Sequence, residues 1–173
     1  AWIAYRLASL HDEDDNSMFN SVIVVTNRIV LDGQLQDTIN SFEHVPGLLE
    51  CIDDKKHSRD LAEAINDKKR IIICTIQKFL FAYKDIERFS GRKFAIIVDE
   101  AHRSTGGESF ENIQKAFKHA AWVGYTGTPM FDETTKGLRT EDIFGPLLHA
   151  YTIREAIADR NVLGFKVDFE TTI

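Results

Sequence analysis

Three blocks of consecutive apolar β-formers constrain this chain more than any other feature: Val22-Ile23-Val24-Val25, Ile71-Ile72-Ile73-Cys74 and Phe94-Ala95-Ile96-Ile97-Val98. A strand with one wet face alternates apolar and polar residues. A run without alternation has to be covered on both faces, as inside a parallel sheet. Parallel strands need crossovers, and helix-period stripes stand between the blocks. Leu31, Leu35, Ile39 and Phe42 mark one stripe; Leu61, Ala62 and Ile65 mark a short one that ends in Lys68-Lys69-Arg70. Ile76, Phe79, Leu80 and Tyr83 follow the second block, and Phe110, Ile113, Ala116, Phe117 and Ala120 follow the third. Ile3, Leu7 and Leu10 predict a helix over residues 1–10. Pro46-Gly47 is a break, after which Leu48 to Ile52 reads as a strand. Ala121 to Tyr125 predicts a last strand, cut off by Thr126-Gly127-Thr128-Pro129. The pattern is an α/β fold with a mainly parallel sheet covered on both sides.

Length and composition agree with a single globular domain: 173 residues, 43% of them hydrophobic, and three prolines. No apolar run approaches membrane-spanning length, and no basic-then-apolar signal segment is present, so no membrane partner is expected. Cys51 and Cys74 each sit in an apolar run and read as buried hydrophobes in a reducing compartment. The net charge of −6 weakens a nucleic-acid reading. Much of the acid is local, in His11-Asp12-Glu13-Asp14-Asp15, which reads as a solvated loop. Binding through backbone amides and hydroxyls to phosphates stays open.

In such sheets ligands bind beyond the carboxyl ends of the strands. Four polar clusters follow strand ends here, and so are expected along one edge. Asp99 and Glu100 close the third block. In nucleotide hydrolysis the first acid of such a pair helps hold Mg²⁺ and the second polarises the attacking water. The bland alternative is a strand that ends in solvent. His102 stands where it can relay nucleotide state by hydrogen bonding, or simply bond a backbone carbonyl. Thr126, Gly127 and Thr128 can accept bonds from the acids and move when phosphate leaves. Thr26, Arg28 and Gln34 after the first block, and Thr75, Gln77 and Lys78 after the second, can grip a nucleic-acid backbone, although each taken singly also fits a helix cap. No aromatic platform for stacked bases is evident, so binding would follow the backbone rather than sequence. The usual partner of an acid pair, the phosphate-cradling loop G-x-x-x-x-G-K-S/T, does not occur in the chain, whose first glycine is Gly33.

Assembled, these residues resemble the first motor lobe of a superfamily 2 helicase or translocase. Val22 to Gln34, with Thr26, Arg28 and Leu31, resembles motif Ia. Thr75-Ile76-Gln77-Lys78 resembles motif Ib, with lysine replacing the usual arginine. Asp99-Glu100-Ala101-His102 is similar to motif II, and Thr126-Gly127-Thr128-Pro129 stands where motif III stands. A narrower resemblance, over about residues 20–165, is to the motor (R) subunit of type I restriction-modification enzymes. It rests on Val98 to Ser104, Cys74 to Phe79, Gly124 to Pro129 and the late Phe144-Gly145 and Tyr151-to-Asp159 segments.

That resemblance implies a RecA-like, mostly parallel sheet with helices on both faces, missing its first strand and phosphate-binding loop. Residues 1–150 would form the first motor lobe and 151–173 the exit toward a second. It implies an ATP- and Mg²⁺-dependent translocase on double-stranded DNA in the cytoplasm, with methylase (M) and specificity (S) subunits as partners. The chain begins Ala1-Trp2, and the loop is expected just before it; the polypeptide alone is expected to hydrolyse no ATP. Thr152 with Glu155 is a capping box that opens a short helix, and Gly164 to Phe169 reads as a strand. The rival readings are another superfamily 2 motor, of type III restriction or repair, and a degenerate module that binds nucleic acid without hydrolysis.

Overall fold

A computed structural model of the chain describes residues 2–26, 47–52, 56–82, 92–103, 108–130 and 139–164. Five strands form one sheet: β1 (Ser21–Thr26), β2 (Leu49–Ile52), β3 (Ile71–Thr75), β4 (Phe94–Val98) and β5 (Ala121–Gly124). Their order is β2-β3-β1-β4-β5, and every neighbouring pair is parallel. The helices are α1 (Trp2–Ala8), α2 (Ser58–Asn66), α3 (Ile76–Ala82), α4 (Glu108–Ala116), α5 (Thr140–Phe144) and α6 (Ile153–Ala158).

The three apolar blocks are β1, β3 and β4, the inner strands, and all of their residues are buried. Successive side chains alternate between two cores. On one face Ile23, Val25, Ile72, Cys74, Ile96 and Val98 meet Leu61 and Ile65 of α2, Phe79 of α3, Phe110 and Ile113 of α4 and Ile143 of α5. On the other, Val22, Val24, Ile71, Ile73, Ala95 and Ile97 meet Ala4 and Ala8 of α1. Helices thus cover both faces, as a RecA-like α/β fold requires.

The register sets Cys51 opposite Ile73 and Cys74 opposite Ile52. The two cysteines therefore belong to opposite cores, Cys74 with α2 and α3 and Cys51 with α1, and both are free thiols. Burial pushes the Cys74 thiol up, only partly offset by the nearby Lys78 charge. Among the described residues no helix is long and apolar enough to cross a membrane.

Two arginines tie helix ends to the amino edge of the sheet. Arg70, just before β3, donates from Nη1 to the Phe19 carbonyl (3.0 Å) and from Nη2 to the Ala8 carbonyl at the end of α1. Arg92, two residues before β4, donates to the carbonyls of Ile65 (2.9 Å) and Asn66 (3.0 Å) at the end of α2. Each thereby caps a helix C-terminus, where carbonyls run out of helical partners; the Ile65 carbonyl also accepts the Lys68 N–H (3.2 Å).

Several boundaries differ from expectation. α1 ends at Ala8, and Leu10 lies beyond it, 44% exposed. The sheet contact is made by Ala4 and Ala8, because small side chains let the helix approach closely, while Ile3 and Leu7 pack at the sides. The helix expected through Ala120 ends at Ala116. β5 ends at Gly124, although the Tyr125 N–H still bonds the Val98 carbonyl (2.9 Å). The stripe from Leu31 to Phe42, Arg28, Gln34 and the strand expected after Gly164 lie outside the described residues.

Candidate active site

The acid pair stands at the carboxyl edge of the sheet, beside β1 and β5. The Asp99 N–H bonds the Val25 carbonyl (2.9 Å) and the Ala101 N–H bonds the Tyr125 carbonyl (2.9 Å), so the ladders to both neighbours run on past β4. Between those two anchors the chain turns into a 3₁₀ helix, Ala101–Arg103. Glu100 makes the turn at φ +51°, in the left-handed region that favours glycine. Its N–H donates to Asp99 Oδ1 (3.0 Å), and its own carboxylate is half exposed.

His102 joins this turn to the turn after β5. Its Nδ1 lies 2.7 Å from Thr126 Oγ1 and its Nε2 lies 3.5 Å from Glu100 Oε2. Thr126 Oγ1 also accepts the Thr128 N–H (3.1 Å). Glu100, His102, Thr126 and the Thr128 backbone thus form one line. Thr126 reaches Glu100 through the imidazole, and Thr128 joins through its backbone N–H. Gly127 is exposed, and a Cβ there would touch nothing within 4 Å, so no steric demand explains it.

The described residues assigned to nucleic acid, Thr26, Thr75, Gln77 and Lys78, share this edge. Thr26 and Thr75 are register partners at the ends of β1 and β3, and both are buried, 5% exposed. Thr75 Oγ1 accepts the Lys78 N–H at the long distance of 3.5 Å, a weak cap on α3. Lys78 Nζ turns inward to the Ile52 carbonyl (3.3 Å). Gln77 is exposed.

With this geometry, similarity to known proteins decides the family. Residues 3–173 match the family described as SWI2/SNF2 ATPase. The chain belongs to the SWI2/SNF2 ATPase family. It is 37% identical over 170 residues to a type I restriction enzyme endonuclease subunit of Staphylococcus aureus strain COL, covering 94% of this chain and 17% of that protein. A Staphylococcus saprophyticus type I restriction enzyme endonuclease subunit is 35% identical over 171 residues, 95% of this chain and 18% of the relative. The HindI type I restriction enzyme endonuclease subunit of Haemophilus influenzae is 30% identical over 156 residues, 80% of this chain and 14% of the relative. The chain therefore spans less than a fifth of the length of these relatives.

For an SWI2/SNF2 ATPase the donor set at this edge is informative. Among the described residues no group of three His, Cys, Asp or Glu side chains is placed to hold a metal ion. A divalent cation here would rest on the exposed Asp99 carboxylate, water and nucleotide phosphates, which is the ligand set Mg²⁺ accepts. Sequence reasoning missed one packing contact at this site, that of Phe144 on Gly124. The signal was available: a glycine inside a strand often marks a close approach.

Proposed function

We propose that the chain is the acid-pair part of an ATP-driven motor that moves along double-stranded DNA within a type I restriction endonuclease. The observation that carries the reading is the Glu100–His102–Thr126 line at the carboxyl edge of a parallel sheet. Bound Mg²⁺ would draw charge from the nucleotide phosphates. The Asp99 carboxylate would help hold that ion. Glu100 orients the attacking water and takes its proton, and the half exposure of its carboxylate leaves it room to do so. His102 bonds Thr126 with one nitrogen and faces Glu100 with the other, so the state of the carboxylate is felt at the turn after β5. Gln77, with Thr26, Thr75 and Lys78 beneath it and Arg28 and Gln34 beyond the described residues, follows the DNA phosphates. The phosphate-binding loop, a second lobe reached through residues 151–173 and the methylase and specificity subunits are supplied from outside this sequence.

This chain alone, mixed with Mg²⁺, ATP and duplex DNA, is expected to show no turnover. It has no phosphate-binding loop, and an arginine finger from a second lobe contributes ~10³–10⁵ in rate. In a protein that joins the chain to both parts, Glu100→Gln is expected to lower kcat by ~10²–10⁴ and leave the Kd for ATP unchanged. An undiminished kcat in that variant overturns the reading.

A further inference from the structure

α5 holds the turn that carries Thr126 at both of its ends. At the near end β5 has Gly124, where an added Cβ would stand 2.9 Å from Phe144 Cγ and 3.0 Å from each Cδ. Gly124 lies on the same sheet face as Trp122, whose ring packs on Phe79 (6.2 Å) and Phe110 (5.8 Å). Pairing with β4 continues through Tyr125, so Thr126 is the next residue on that face, about 7 Å further along. The Phe144 ring therefore fills the place of the side chain that the strand lacks between Trp122 and Thr126. At the far end the Met130 N–H donates to Thr140 Oγ1 (2.9 Å) and the Thr140 N–H donates to the Met130 carbonyl (3.0 Å).

α5 is itself fixed. The Arg139 guanidinium grips the Asp142 carboxylate through Nε (3.2 Å) and Nη2 (3.0 Å), and Gly145 at φ +80° ends the helix directly after Phe144. A hydrogen bond of 2.7 Å tolerates only a few tenths of an ångström of drift at Thr126 Oγ1. Without the ring, the last residue of β5 would be a glycine with its full backbone freedom.

We infer that α5 is a brace that sets Thr126 against His102, with Phe144 as its positioning residue. Phe144 touches neither acid; it acts through the strand end. The inference rests on the functional reading of the Glu100–His102–Thr126 line, but its test needs no nucleotide. In the 173-residue chain with ¹⁵N-labelled histidine, His102 is assigned by loss of its signals in His102→Gln. Thr126→Val then defines where the ring-nitrogen resonances move when the bond is lost. Phe144→Ala and Gly124→Ala are each expected to shift His102 to that position and leave the other histidines in place. Should Phe144→Ala fail to fold, Phe144→Leu and Thr140→Val, each loosening one end of the turn, are expected to shift His102 part of the way. Folded variants whose His102 resonances stay at the wild-type position would overturn the brace and reduce Phe144 to core filling. A motor reading that failed on Glu100→Gln kinetics would leave this result untouched.

Discussion

Glu100 is held in a backbone conformation that costs a non-glycine residue ~1–2 kcal/mol. Its neighbours impose it: Asp99 is tied to β1 and Ala101 to Tyr125, so one residue must reverse the chain. Strain of this kind gathers at functional sites. Glu100→Gly removes the strain and offsets part of the gain through the looser unfolded chain. Stability in urea is therefore expected to stay level or rise by up to about 1 kcal/mol, while the Glu100 contact with His102 is lost. A fall of 2 kcal/mol would show that the carboxylate, not the backbone, dominates at this position. The two acids were legible in the sequence because they close an unbroken apolar strand. The left-handed turn was not, since it follows from two hydrogen bonds to other strands. Nor was the His102–Thr126 bond, which spans 24 positions and exists only once β4 and β5 are neighbours.

The elements followed the apolar pattern where burial was complete. β1, β3 and β4 announced themselves, because an unbroken run of β-formers has few alternatives. α1 was harder, since its buried residues are alanines that carry almost no hydrophobic signal. Arg70 read as the end of a basic run, and the structure instead makes it the cap of α1. Arg70→Met strips two carbonyls of their donor and is expected to cost about 2–4 kcal/mol. Hydrogen exchange should show α1 opening ahead of the sheet; uniform loss of protection would contradict the local role. α6 shows a different control. Glu155 accepts the Thr152 N–H (2.6 Å) and the Thr152 hydroxyl (2.8 Å), and these bonds, the backbone one first, hold its carboxyl below the usual carboxylate range. A depressed carboxyl contributes stability above its unfolded pKa and loses it as pH falls through the folded value. α6 is therefore expected to keep its cap at pH 5 and above and to fray below about pH 4, read from the Glu155 carboxyl and Thr152 amide shifts. Retention of the Thr152 shift at pH 2 would count against the box.

At the scale of the molecule, the sheet puts its best-covered strands in the middle and gathers the polar clusters on one edge. The strand order was only partly legible. Nothing local in the sequence announces that β1 sits between β3 and β4. The two outermost strands are finished differently. β2 carries Glu50, paired with Lys56 and, at 3.8 Å, with Lys69, and such charges discourage another strand from joining. β5 reads Ala121-Trp122-Val123-Gly124, without a charge, and among the described residues no strand pairs with its outer side. Ala121 is exposed and accepts a long side chain. The weight-average mass from light scattering is expected to rise with concentration for the chain as it stands and to stay at the monomer value for Ala121→Lys; the same rise in both would locate the association elsewhere. On that expectation the described part of the molecule is a tile with one sealed margin and one adhesive margin. Its copies should join in pairs, glued margin to glued margin, rather than polymerise into open ribbons.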